Sequence, residues 1–147
     1  MIISCGILAY RIINGNKEVF LAHPGGPYFK EDYNTWSIPK GHKEHLEESE
    51  ICARREFQEE TNKTPPKNLT FFGSFRVNRE KIVKVFIGET NFTLDGCISN
   101  TCEIWWKDKV ITIPEIDDWG WFNLKEALNR INFGQKQIIR KFMKEFS

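Results

Sequence analysis

The sequence predicts an α+β sandwich. Three observations support this: β-favouring stretches that come in pairs around turn residues, one uninterrupted helical stretch mid-chain, and an amphipathic helix at the C-terminus. At 147 residues the chain has the length of one domain and can bury a core without disulfide or metal staples. The expectation is therefore a single domain over 1–147, with no internal repeat, low-complexity tract or linker.

Taken in order, Ile2 to Ile13 and Glu18 to His23 flank Asn14-Gly15-Asn16, whose residue types tolerate positive φ, so the chain opens with a β-hairpin. Pro24-Gly25-Gly26-Pro27 and the polar, aromatic stretch to Asn34 read as a surface loop and a candidate substrate lid. Trp36-Ser37-Ile38 reads as a short strand stopped by Pro39, with a sharp turn at Gly41. Glu48 to Thr61 holds good helix formers and neither Gly nor Pro, and Asn62 follows where a left-handed residue closes many helices. Phe71 to Val77 and Ile82 to Gly88 form a second hairpin around the charged turn Asn78 to Lys81. Asn91 to Asn100 is loop-like. Cys102 to Trp106 is a strand, and Trp119 to Phe122 is another after a short acidic loop. Leu124 to Asn129 is a short helix, and Gln135 to Phe146 repeats apolar residues at helical spacing.

Composition narrows the function classes. Lys and Arg number 21 against 20 Asp and Glu, so a net charge of +1 offers no global attraction to nucleic acid or acidic membranes, and any anion must be held locally. Cys5, Cys52, Cys97 and Cys102 form neither paired C-x-x-C knuckles nor the dense framework of a small secreted domain, so they read as reduced thiols. Cys97, Cys102 and the pair Trp105-Trp106 lack the second metal pair or basic stripe that a zinc or single-strand-binding module needs. No signal peptide or membrane span is visible, so a cytoplasmic location is expected.

The chemistry concentrates in one segment. From Gly41, five residues lead to Glu47, seven more to Arg55-Glu56, then Phe57, Gln58 and Glu59-Glu60. If each of the six fixed positions matched by chance about one time in fifteen, the pattern would arise on the order of once in 10⁵ such chains. On a helix, Glu56, Glu59 and Glu60 project within a sector roughly 100° wide, while Ala53 and Phe57 beside them can pin the helix to a sheet. Like charges so spaced repel, and a hard divalent cation with oxygen preference, Mg²⁺ or Mn²⁺, would offset that repulsion. His42 and His45 lie near Glu47 but read as exposed histidines, not ligands.

The spacing Gly-x5-Glu-x7-Arg-Glu-apolar-x-Glu-Glu resembles the signature of the Nudix hydrolase family. Trp36-Ser37-Ile38-Pro39-Lys40-Gly41-His42 is similar to the strand and turn that lead into it, and His23-Pro24-Gly25-Gly26-Pro27 with Trp121-Phe122 is similar to a bacterial-type subgroup. The resemblance implies a Nudix α/β/α sandwich with a mixed central sheet and a loop-helix-loop catalytic motif. It also implies an enzyme that uses Mg²⁺ or Mn²⁺ to cleave a diphosphate bond in a nucleoside diphosphate linked to another moiety, with dinucleoside polyphosphates and nucleoside triphosphates as candidates.

Residue by residue, it makes Glu56, Glu59 and Glu60 metal ligands or the general base. Glu47 and the Lys40 carbonyl become supports of the metal, and Arg55 orients the glutamates. Some members carry a further glutamate six residues before a late tryptophan; counting back from Trp121 reaches Glu115, whose other reading is a solvated acidic loop. Tyr28 and Phe29 are candidates to stack a base, and Lys43, Arg76, Arg79 and Lys84 to clamp phosphates. The family glycine after the glutamate pair is Asn62 here, the apolar residue beyond it is Lys63, and Leu46 stands where many members have glycine. The expected partner is a nucleotide-type small molecule, with neither a membrane nor a stable nucleic-acid partner; a homodimer is allowed because many relatives are dimers. The competing reading is a catalytically silent Nudix module that binds a nucleotide or a partner protein.

Overall fold

The computed structural model describes residues 1–28 and 34–146. Strands β1 (Ile2–Ile13) and β2 (Asn16–Pro24) pair antiparallel from Tyr10↔Val19 to Ile13↔Asn16. Their two-residue turn holds Asn14 at φ 51° and Gly15 at φ 80°, the twist sense that suits a tight hairpin. Toward its N-terminal end, β1 takes a different neighbour on that edge: β3 (Lys40–His42) pairs from Ser4↔His42 to Gly6↔Lys40. Its other edge carries β5 (Lys81–Glu89) in parallel, and β4 (Thr70–Arg76) closes that side as an antiparallel hairpin. On the far side β8 (Ile116–Asn123) pairs with β2, giving the order β4-β5-β1-β2-β8 with β3 added on β1. Strands β6 (Thr101–Trp106) and β7 (Lys109–Pro114) form a two-stranded sheet apart from the main one.

Helices cover both faces, which is why Ser4 to Ala9 is buried without a break. The period-two alternation of β1 sends Cys5, Ile7 and Ala9 to one side, where Phe20 joins them against Cys52, Ala53 and Phe57 of α1 (Ser49–Thr61). Leu8, with Val19, Leu21, Val83 and Val85, faces the other side, against Ala127 of α2 (Leu124–Arg130) and Ile138, Ile139 and Phe142 of α3 (Lys136–Phe146). A 3-10 turn, Phe133–Gln135, leads into α3. The result is the expected α/β/α sandwich with a mixed central sheet. No described helix is long and apolar enough to cross a membrane.

Three expectations are corrected. Trp36 to Ile38 is not a strand: it makes only the isolated bridges Ala22↔Ser37 and Trp36↔Ile131. The strand comes just after Pro39, where a turn was expected. It fits because Gly6 opposite it has no side chain: a Cβ there would lie 2.6 Å from the Lys40 Cβ. Strand β7 went unread, because its turn is Lys107-Asp108, at φ 49° and 63°, a tight turn made without the Asn or Gly that usually marks one. The acidic loop before Trp119 is shorter than expected, since pairing with β2 starts at Pro24↔Ile116 and runs through a bulge.

Candidate active site

Helix α1 displays the carboxylates because its opposite face is anchored. Cys52, Ala53 and Phe57 are fully buried, leaving Glu56, Glu59 and Glu60 at the border of the core. Asn62 ends the helix at φ 59° and its amide donates to the Gln58 carbonyl, so asparagine performs the left-handed closure of the family glycine. Upstream, Leu46 sits at φ 64°, which accounts for the glycine common at that position.

Arg55 organises the group. Its Nε and Nη2 donate to the two oxygens of Glu47 at 2.8 and 3.0 Å, its Nη1 to Glu56 Oε1 at 2.9 Å and Glu59 Oε2 at 3.3 Å, and its Nη2 to the His42 carbonyl at 3.3 Å. Such forked, charge-assisted bonds orient carboxylates as well as neutralising them. They hold the Glu47 carboxyl down to about 2, helped by the Glu44 amide that donates to Glu47 Oε1 at 3.0 Å. The same partner, Glu47, raises the guanidinium above its ordinary value.

Glu56 and Glu60 move the other way. Burial raises Glu56, with the Glu59 charge adding to it. Glu60 is only 6% exposed, and burial pushes it up to about 7; the Lys40 charge opposes this, while those of Glu56 and Glu115 reinforce it. The Lys40 amide donates to Glu60 Oε1 at 3.4 Å. Gly41 is required here by space: a Cβ on it would lie 2.0 Å from the Glu56 carboxyl carbon.

Glu60 opens onto a cavity of about 330 Å³, lined also by Lys40, Glu115, Tyr28, Ser37, Pro24 and Gly25. It lies where β2 parts from the β3 side of β1, and hairpin β6–β7 closes it through Cys102, Ile104 and Ile113. The motif His23-Pro24-Gly25-Gly26-Pro27 serves this junction. The Gly25 amide donates to the Glu115 carbonyl at 2.9 Å, and a Cβ on Gly25 would meet the Pro114 oxygen at 2.1 Å. His23 accepts or donates at both ring nitrogens, to Asp117 Oδ1 at 2.7 Å and Thr35 Oγ1 at 3.2 Å, fixing the start of β8.

The structure thus brings together Glu47, Arg55, Glu56 and Glu59 through one arginine, and Glu60, Lys40, Glu115 and Tyr28 around one cavity. Arg76, Arg79 and Lys84 do not line the cavity, and Lys43 reaches the group only at the backbone of the loop before α1. Lys43 donates to the carbonyls of Glu47 and Glu44 at 3.0 and 3.4 Å, and Arg76 to those of Asn78 and Arg79 at 3.2 and 2.8 Å. Arg79 lies in the β4–β5 turn, and Lys84 in β5 opposite Cys5 and Ser74. Phe29 falls outside the described residues. Sequence reasoning missed Lys81, whose ammonium is lowered by burial and by the Lys40 charge while Glu60 raises it. It also missed the apolar wall of the hairpin, for which the alternation Val110-Ile111-Thr112-Ile113 was an available signal.

The donors are all oxygens, and burial makes the charge of Glu60 unfavourable although the Lys40 and Lys81 ammoniums interact with it, a chemistry that suits a hard cation held by one or two carboxylates and waters. Among the described residues, no three acidic, histidine or cysteine side chains already converge on one point; Arg55 lies amid three of the carboxylates.

A family model for the NUDIX domain matches residues 5–142. The chain belongs to the NUDIX family. Membership makes it a Nudix-type pyrophosphohydrolase, and Nudix hydrolases generally use divalent metals. Solved structures share the fold. The C. elegans Ap4A hydrolase binary complex is 24% identical with TM-score 0.67, covering 98% of this chain and 96% of that one. The NUDIX domain of Shewanella oneidensis NrtR, complexed with ADP ribose, is 13% identical with TM-score 0.71, covering 99% and 88%. A mutT/nudix family protein from Listeria innocua is 19% identical with TM-score 0.64, covering 97% and 91%. No curated protein matches the chain in sequence.

Proposed function

We propose that residues 1–147 act as one domain that, with Mg²⁺ or Mn²⁺, hydrolyses a diphosphate bond in a nucleoside diphosphate linked to another group, dinucleoside polyphosphates and nucleoside triphosphates being the candidates. The observation that carries this reading is the buried Glu60 on the wall of a cavity it shares with Glu115 and Lys40, one helical turn from the Arg55-tied carboxylates. In this reading Glu56, Glu59 and Glu60 hold the cation, and Glu47 and the Lys40 carbonyl support them. When bound, the cation screens phosphate charge and makes water more acidic.

Arg55 fixes the rotamers of Glu47, Glu56 and Glu59, so that removing the guanidinium disorders three carboxylates at once. Proton removal from the attacking water falls to a glutamate of α1 or to Glu115, which reaches the cavity from the opposite side. Tyr28 contacts the organic part of the substrate. Lys43, Arg79 and Lys84 can touch only portions of a substrate that extend beyond the cavity, and Arg76 is committed to its own turn.

A panel of nucleoside triphosphates, sugar nucleotides and dinucleoside polyphosphates, assayed with Mg²⁺, tests the reading. Glu59→Gln and Glu60→Gln are each expected to lower turnover by about a hundredfold or more while the variants stay folded. Unchanged turnover in both would overturn the assigned chemistry.

A further inference from the structure

An α-helix leaves its last carbonyls without partners inside the helix, and at the end of α1 these belong to Gln58, Glu59, Glu60 and Thr61. The Asn62 amide serves the first at 2.8 Å. The other three are served from distant parts of the chain. The Asn100 amide donates to the Glu59 carbonyl at 3.0 Å, the Trp119 Nε1 to that of Glu60 at 2.8 Å, and the Ile98 amide to that of Thr61 at 3.2 Å. The turn that carries Glu59 and Glu60 is therefore held from outside, where an unaided helix end frays.

Residues 98–100 bond to two elements at once. Ile98 and Asn100 give their amides to α1, while Ser99 between them serves β8. The Ser99 hydroxyl accepts from the Ile116 amide at 2.9 Å, and it can donate to the Ile116 carbonyl at 3.1 Å or the Asn100 carbonyl at 2.9 Å. Ile116 is buried, so its backbone polar groups need partners. Pro24, its register partner in β2, has no amide to give, and the Ser99 hydroxyl is placed to stand in for that missing rung.

Asn100 completes the link. Its amide is bound to Glu59, and its carbonyl accepts from the Glu115 amide at 2.8 Å, so one residue joins the Glu59 peptide to the Glu115 peptide. On its other side the Glu115 carbonyl accepts from the Gly25 amide. Glu115 shares its cavity with Glu60, and its charge is near enough to help raise the Glu60 carboxyl. The spacing between the end of α1 and the start of β8 thus runs through residues 98–100, and Ser99 is the side chain that locks them to β8.

Resting on the function proposed above, we propose that Ser99 is a positioning residue: it clamps residues 98–100 between α1 and β8 and so fixes Glu115 at its distance from Glu59 and Glu60. Its removal loosens Glu115 and Ile116 but leaves the amides on α1 in place.

Steady-state kinetics on the nucleotide that turns over fastest, joined to amide exchange, tests this. Ser99→Ala should lower kcat by about tenfold with KM within about twofold, and Ser99→Thr, which keeps the hydroxyl, should restore at least about half the rate. Calorimetric Mn²⁺ affinity should stay within about twofold of the parent, because Ser99 touches none of the α1 carboxylates. In a Glu115→Gln background the same alanine should cost less than about twofold, since the residue it acts through is already disabled. Exchange should quicken at the Glu115 and Ile116 amides and stay the same at Ala53 and Phe57 in α1. If Ser99→Ala does not fold, Ser99→Cys, a weaker donor and acceptor, makes the same comparison. Parental turnover in Ser99→Ala, no rescue by threonine, an equal loss in both backgrounds, a matching fall in Mn²⁺ affinity, or Glu115→Gln without effect overturns the role of Ser99 and leaves the α1 chemistry standing. A parent chain that hydrolyses no nucleotide sinks the proposed chemistry instead, and exchange alone then decides the clamp: quickened at Glu115 and Ile116 it stands, unchanged it falls.

Discussion

Gly41 and Glu56 share a space that holds only one of two things, a β-carbon or a carboxylate. Gly41→Ala therefore costs little in folding, since the displaced atoms are the far end of a flexible side chain, but it drives Glu56 off its position. The expected outcome is an unchanged melting profile and turnover lower by about a hundredfold, checked by thermal denaturation beside steady-state kinetics. Glu60 illustrates the opposite balance. Its folded-state carboxyl stands at about 7 against an ordinary 4.5. Below 4.5 both states are protonated and its contribution to stability is whole; between 4.5 and about 7 only the unfolded chain ionises, so that stability drains away as pH rises. Glu47, held down to about 2, loses its contribution as pH falls from 4.5 toward 2. In the metal-free protein Glu60→Gln should thus flatten the decline between pH 4.5 and 7 and raise stability at pH 8 by roughly 1–3 kcal/mol, measured by urea unfolding. Leu46 is 86% exposed at a left-handed φ, so Leu46→Gly loses no packing and should gain about 0.5–1 kcal/mol.

Elements place these residues. Helix α1 carries its function on the stripe beside its packed face, so its register against β1 decides where the carboxylates stand. Strand β1 does more than fill the centre of the sheet: by changing partner along one edge from β3 to β2 it leaves the gap that becomes the cavity. The hairpin β6–β7 turns at Lys107-Asp108, both in left-handed backbone with no glycine to ease it. Replacing the pair by Asn-Gly should stabilise the hairpin by about 1 kcal/mol, seen as slower amide exchange in β6 and β7 while exchange in β1 and β5 stays the same.

For the molecule as a whole, the two faces of the sheet divide the work. The face under α2 and α3 holds the larger cluster, including Trp36, Phe72, Phe75 and Phe142, and takes no residue from α1. The face under α1 holds a smaller cluster and carries the charged stripe at its rim. Stability drawn from the first face lets the second keep a buried Glu60 whose ionisation weakens the metal-free fold. A cation that binds the folded chain should raise its melting temperature with increasing concentration, more at pH 8 than at pH 5, because its carboxylate ligands must be ionised. Glu60→Gln should shrink that rise; an equal rise in both proteins removes Glu60 from the ligand set.

The candidate site was legible in the order of residues because its chemistry lies on one short segment whose spacing is helical: Glu47, Arg55, Glu56, Glu59 and Glu60 need only α1 and the loop before it. The opening hairpin, α1 and α3 were legible for the same reason, each being decided by local turn chemistry or periodicity. What neighbours along the chain could not decide is what distant segments supply. Residues 40–42 became a strand because Gly6, more than thirty positions earlier, left room for it. Glu115 and Ile113 reached Glu60 because two glycines after His23 let another stretch of backbone lie against them. Spacing reveals a helix face because its geometry repeats within a few residues, whereas a cavity is made of contacts between segments, whose distances appear only once the chain has folded.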